Sequence, residues 1–123
     1  MARLLVIDDE ANIRLLYAQE LGEEGHEVST AANVSEALAR LEQQTFDLVI
    51  LDIKLKSESG LDLLQQIVKE RHNLPVILCS AFSCYQDDFS AWLADGYVVK
   101  SSNIDELKLE VGKVLDKKLQ RGG

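Results

Sequence analysis

Five residues of this chain could do chemistry together. Asp8 and Asp9 follow a short apolar run, Arg3 to Ile7. Asp52 follows a second run, Asp47 to Leu51. Ser80 follows a third, Val76 to Cys79, and Lys100 follows a fourth, Tyr97 to Val99. If these runs are strands of one parallel sheet, three carboxylates, a hydroxyl and an ammonium converge at one end of it. Carboxylates crowded into one crevice repel one another unless something compensates. A hard divalent cation does so, and a set of oxygen donors suits Mg²⁺. Lys100 adds a fixed positive charge. Taken singly, each residue has an ordinary reading: an aspartate after a strand forms turns or caps a helix, a serine forms turns, a lysine is solvated. Their joint placement at successive strand ends is what points to a site.

The intervening segments supply the elements that must position them. Ile13, Leu16, Tyr17 and Leu21 read as one face of a first helix, ended by Gly22 or Gly25. Glu27 to Ala31 reads as a second strand. Asn33 can cap a second helix, whose apolar stripe is Val34, Ala37, Leu38 and Leu41. A polar loop, Lys54 to Ser59, follows Asp52 and leads through Gly60 to a third helix with Leu61, Leu64, Ile67 and Val68 inward. Pro75 opens the next strand. A short helix over Asp87 to Ala94, packed through Phe89, Trp92 and Leu93, precedes the last strand. A final helix from about Asn103 to Leu119 buries Ile104, Leu107, Val111, Val114 and Leu115. Strand and helix alternate five times, and near-continuous apolar strands imply burial on both faces. The expected class is α/β, a doubly wound parallel sheet. In such sheets ligands bind beyond the carboxyl ends of the strands, where the five residues lie.

Composition narrows the function. The chain has 123 residues, 46% hydrophobic and 28% charged, with a net charge of -8, an ordinary globular mixture of single-domain size. Its acidity argues against direct contact with nucleic acid phosphates. No apolar run approaches the roughly 20 residues that span a bilayer, so the expected setting is cytoplasmic, without membrane contact. The two cysteines, Cys79 and Cys84, read as one buried and one surface thiol in a reducing compartment.

The segments Leu5-Val6-Ile7-Asp8-Asp9-Glu10, Leu48-Val49-Ile50-Leu51-Asp52-Ile53, Pro75-Val76-Ile77-Leu78-Cys79-Ser80-Ala81 and Tyr97-Val98-Val99-Lys100 resemble the receiver domains of two-component response regulators, in order and at the family's spacing. The resemblance covers about residues 3 to 119. It implies a flavodoxin-like (βα)5 sheet in strand order 2-1-3-4-5, with residues 1–121 a single receiver domain and 122–123 a C-terminal tail. It implies that Asp52 accepts a phosphoryl group from a histidine kinase or a histidine phosphotransfer protein. It assigns Mg²⁺ to Asp8, Asp9, Asp52 and the backbone carbonyl of Lys54, charge stabilisation to Lys100, and the switch to Ser80 and Tyr97. The output is a downstream effector protein or domain. The chain would catalyse only its own phosphorylation and dephosphorylation. Lys54 and Phe82 flank the phosphoryl position, and their bulk predicts slow loss of phosphate.

Three features depart from the family's pattern, one of them a fourth helix and following loop about two residues short of the family's length. Lys100 precedes Ser101 rather than proline, so a trans bond is expected there, since a cis bond before a non-proline costs roughly 2.5–4 kcal/mol. Lys56 stands where a proline is common. These departures keep a second reading in view, the same fold used as a scaffold without phosphorylation. A phosphatase with an aspartate nucleophile would place a second aspartate at position 54, which is lysine. Flavin binding would call for a Ser-, Thr- or Gly-rich loop after the first strand, and none follows.

Overall fold

The computed structural model describes residues 2–55, 58–71, 73–80, 93–100 and 104–122. Their elements are β1 (Arg3–Ile7), α1 (Ala11–Glu23), β2 (Glu27–Ala31), α2 (Val34–Gln43), β3 (Leu48–Asp52), β4 (Lys54–Leu55), β5 (Glu58–Ser59), α3 (Gly60–Glu70), β6 (Val76–Ser80), β7 (Gly96–Val99) and α4 (Ile104–Gly122). Five strands form a parallel sheet in order β2-β1-β3-β6-β7. With the small β4–β5 pair set aside, this is the expected order 2-1-3-4-5.

Alternation along the central strands builds two cores. Leu5, Ile7, Val49, Leu51 and Leu78 face one side and pack with Ala37 and Leu41 of α2 and Leu63, Leu64 and Ile67 of α3. Leu4, Val6, Leu48, Ile50, Ile77 and Cys79 face the other and pack with Tyr17 and Leu21 of α1 and Leu107, Val111 and Val114 of α4. Successive strand residues point to opposite faces, so a strand apolar at every position needs helices on both sides. Each fully buried Leu or Ile contributes roughly 1.5–3 kcal/mol by leaving water. The strands are thereby pinned, and the sheet's carboxyl end becomes a rigid platform.

The caps behave as the residue types require. Gly25 ends the α1 segment with φ of 94°, a conformation cheap only for glycine. Asn33 Oδ1 accepts from Glu36 N–H at 2.8 Å, and Glu36 Oε1 accepts from Ala32 N–H at 2.8 Å, two reciprocal bonds at the start of α2. Ser59 Oγ accepts from Asp62 N–H and caps α3.

Several boundaries differ from the sequence reading. The expected polar loop over Lys54 to Ser59 carries a two-residue antiparallel pair, β4–β5. Such short strands leave no periodicity to read. Leu16 is 43% exposed rather than inward; the buried line of α1 steps by four through Ile13, Tyr17 and Leu21, and Leu16 is one residue off it. In α3, Leu63 is buried while Leu61 and Val68 are partly buried. Asp52 and Ser80 are the last residues of their strands rather than the first beyond them. The last helix continues to Gly122. Leu93, assigned to a packed helix, is 46% exposed. The rest of that helix (Asp87 to Trp92, with Phe89), together with Lys56, Phe82, Cys84 and Ser101, lies outside the described residues. No helix among the described residues is long and apolar enough to cross a membrane.

Candidate functional site

The carboxyl ends of β1, β3, β6 and β7 meet as the sequence reading requires. Asp8 stands just past β1 and Asp52 ends the central strand β3. They are 2% and 6% exposed, so two carboxylates are held in the protein. Lys100 follows β7, and its N–H donates to the carbonyl of Ser80 at the end of β6. That bond carries the β7 end to the crevice. Lys100 Nζ lies 2.6 Å from Asp8 Oδ2 and 3.0 Å from Asp52 Oδ2. One ammonium therefore bridges the two buried acids.

The remaining carboxylate oxygens are tied locally. Asp8 Oδ1 accepts from Glu10 N–H at 2.9 Å, and Asp52 Oδ1 accepts from Lys54 N–H at 3.3 Å. Both bonds reach two residues ahead, the turn an aspartate makes with its own backbone. Burial pushes the Asp52 carboxyl up to about 6, although the Lys100 bond draws it down. Burial also disfavours the charged form of Lys100, but its bonds to Asp8 and Asp52 outweigh this and hold the ammonium above its ordinary range. The two shifts differ in cause: burial of its own carboxyl for Asp52, and the two carboxylate partners for Lys100.

Asp9 adds a third acid. The carboxylate oxygens of Asp8, Asp9 and Glu10 lie within 4.8 Å of one another. These are hard oxygen donors of the kind that hold Mg²⁺. Asp52 joins this group through Lys100. Ser80 is 3% exposed and pairs in register with Val99. Tyr97 is half-buried on β7, in register with Leu78 and packed on the α2/α3 side of the sheet. Lys54 is exposed, and its main chain serves Asp52.

Three contributors carry no role in the sequence reading. Glu10 belongs to the acid group, and its Oε1 is 3.7 Å from Lys100 Nζ; its signal was its place directly after the aspartate pair. Arg14 Nη1 donates to the Asp8 carbonyl at 2.7 Å and ties α1 to the β1 end; nothing in its spacing marks it. Gly60 begins α3 against the Asp52–Ile53 peptide. A Cβ there would sit 2.0 Å from the Asp52 carbonyl oxygen. Beneath the acids, the Tyr17 hydroxyl and the Cys79 thiol are hydrogen-bonded, and burial raises both, the thiol to about 12. Such a thiol is inert at neutral pH.

The chain is similar to known receiver domains. The profile of the response regulator receiver domain matches residues 4–112. The response regulator TrrA of Thermotoga maritima, solved in complex with Mg(2+)-BeF, is 50% identical. It superposes with a TM-score of 0.88 over 93% of this chain and 99% of that one. TrrA in complex with the histidine kinase ThkA gives a TM-score of 0.87 over 94% and 99%. The two-component response regulator PhoP of Pseudomonas aeruginosa is 34% identical over 115 residues, 92% of this chain. The chain spans about half, 51%, of that curated relative's length.

Proposed function

The chain belongs to the response regulator receiver domain family of two-component signalling, and we propose that it takes a phosphoryl group onto Asp52 from a histidine kinase or a histidine phosphotransfer protein. The observation that carries this reading is the sharing of Lys100 Nζ by the buried carboxylates of Asp8 and Asp52 at the carboxyl end of a parallel sheet.

The residues divide the work. An Asp52 oxygen forms a bond to phosphorus as the P–N bond of the phosphohistidine breaks, and the electron pair stays with the imidazole. With a carboxyl pKa of about 6, Asp52 is largely ionised at neutral pH and available as a nucleophile. Lys100 exchanges a carboxylate partner for a phosphoryl oxygen and so meets charge where it accumulates. Asp8, Asp9, Asp52 and the carbonyl of Lys54 are the oxygen donors that would hold Mg²⁺. When bound, Mg²⁺ supplies charge compensation on the phosphoryl oxygens. Ser80 donates its hydroxyl to the bound group, and Tyr97 moves with it, which biases the β6–β7 edge toward an effector protein or domain. The phosphoryl group brings roughly -1.5 to -2 charges to the crevice, enough to drive such a two-state element. The proposed setting is the cytoplasm, where a thiol such as Cys79 stays reduced. A purely scaffolding use of the fold has no need for two buried acids around one lysine.

Intact-protein mass tests the reading. The protein is incubated with phosphorylated kinase or acetyl phosphate, with and without Mg²⁺, beside Asp52→Asn. One phosphoryl group gained only with Mg²⁺ and only with Asp52 present is the expected result. A gain that persists in Asp52→Asn, or none from any donor, sinks it.

A further inference from the structure

Glu10 is set apart from the other acids of the crevice by where its charge lies. Its backbone N–H is held by Asp8 Oδ1 at 2.9 Å, so its position at the start of α1 is fixed. Its side chain is 63% exposed, yet Oε1 is 3.7 Å from Lys100 Nζ, and the Lys100 side chain is only 12% exposed. Lys100 therefore meets Asp8 and Asp52 on its buried side and Glu10 on its solvent side. Among the described residues, Glu10 thus places a carboxylate on the solvent side of the ammonium that a phosphodonor is to meet.

We propose that Glu10 is a specificity-determining residue: it screens the solvent side of Lys100 and disfavours small, doubly charged phosphodonors. This rests on phosphoryl acceptance by Asp52. Two effects act in the same direction. The carboxylate competes with incoming phosphoryl oxygens for the ammonium. It also adds negative charge at the mouth of a site that already holds Asp8, Asp9 and Asp52, and so lowers the local concentration of anions. An exposed pair is worth little, so the effect is roughly two- to fivefold in rate, and it shrinks as salt screens it.

Two small donors separate charge from structure. With acetyl phosphate, a dianion, the Asp52 O–P bond forms while the P–O bond to the acyl group breaks, and acetate leaves with the electron pair. With phosphoramidate the P–N bond breaks and ammonia leaves. This donor carries less net negative charge and a positively charged nitrogen, which Glu10 attracts rather than repels.

The experiment measures phosphorylation rates of wild type, Glu10→Gln and Glu10→Lys with each donor at saturating Mg²⁺, at low and high ionic strength. Mg²⁺ affinity is measured by calorimetry. The expected result is an acetyl phosphate rate that rises roughly two- to fivefold in Glu10→Gln, rises further in Glu10→Lys, and converges with wild type at high salt. The phosphoramidate rate rises less or falls, and Mg²⁺ affinity holds. An unchanged ratio between donors overturns the proposal while Asp52 acceptance stands. Loss of Mg²⁺ affinity with slower acetyl phosphate transfer also overturns it, since Glu10 would then be a metal ligand. Failure of the wild type to accept from either donor or from kinase removes the Asp52 reading itself.

Discussion

Aspartates stand at both ends of the sheet, and the two ends use them differently. At the amino end, Asp47 and Asp95 each precede a strand. Asp47 Oδ2 accepts from Arg3 N–H at 2.8 Å, and Asp95 Oδ2 accepts from Val76 N–H at 3.0 Å. Their own N–H groups donate back to the Arg3 and Val76 carbonyls. Each stitches the start of its own strand to a neighbour through main chain. At the carboxyl end, Asp8 and Asp52 accept from amides two residues on and crowd around Lys100. The first pair is solvated enough to spend its charge on backbone donors. The second pair is buried with charge left over. A carboxylate answered by a neighbouring strand's amide is structural. Buried carboxylates sharing one ammonium gather negative charge that a bound cation would offset.

The sharpest way to break this contrast is to disturb the geometry of the carboxyl end without touching its charges. Gly60 N–H donates to the Ile53 carbonyl at 2.6 Å. A Cβ at Gly60 would meet the Asp52 carbonyl oxygen at 2.0 Å and Ile53 Cα at 2.8 Å. Gly60→Ala must therefore push the peptide that carries Asp52. We expect phosphoryl acceptance to slow by roughly a hundredfold, since displacements near 1 Å cost that much, with a stability loss of about 1–3 kcal/mol. Gly22→Ala is the control, because nothing lies within 4 Å of its Cβ position. Rate by mass and stability by denaturant are read together. A Gly60→Ala variant that accepts phosphoryl as fast as wild type removes the argument that α3 sets the acceptor.

The next effect is one of sign. The Asp52 pKa is raised from 3.8 to about 6, chiefly by burial. The folded state then binds the Asp52 proton more tightly than the unfolded state. Its favourable contribution is full below pH 3.8 and is lost as pH rises through 6. Above that window the buried charge costs about 1–3 kcal/mol. Asp52→Asn should therefore stabilise the Mg²⁺-free protein at pH 7 by that amount, and its gain over wild type should vanish toward pH 4. Thermal unfolding across this range with chelator present measures it. A destabilised Asp52→Asn at pH 7 would mean that the Lys100 bond outweighs burial.

These effects also mark what the sequence could carry. Near-continuous apolar runs in β1, β3 and β6 made the double-sided sheet readable, and strand ends led to Asp8, Asp52, Ser80 and Lys100. Asp52, the proposed acceptor, was legible because it closes an apolar run. Gly60 was visible only as the end of a polar loop, since its reason is a close approach of backbone from another element. Leu16 was misplaced because Leu15 and Leu16 both satisfy a loose helical stripe, and only packing decides which edge faces inward. Glu10 is one acid among several in sequence; its distance from Lys100 gives it a separate part. The β4–β5 pair is a product of chain closure between Asp52 and Gly60, with no pattern of its own.

The smallest effect sharpens the comparison most, because it opposes the Asp52 change in sign. Asp47→Ala removes the acceptor for Arg3 N–H at a site where water can partly replace it. The expected cost is about 0.5–1.5 kcal/mol, with the rate of phosphoryl acceptance unchanged. Five residue steps of extended chain separate positions 47 and 52, roughly 16 Å at a strand's rise. The two substitutions share no partner among the hydrogen bonds and ion pairs described above. Their effects on stability should then add to within about 0.5 kcal/mol, so that in the Mg²⁺-free double variant at pH 7 the Asp47 loss offsets part of the Asp52 gain. Denaturant unfolding of the four proteins of this cycle gives the coupling directly. A coupling well above that margin would mean that strain travels along β3 from one end to the other. The two ends would then be one device, and the division between structural and functional aspartates would fail.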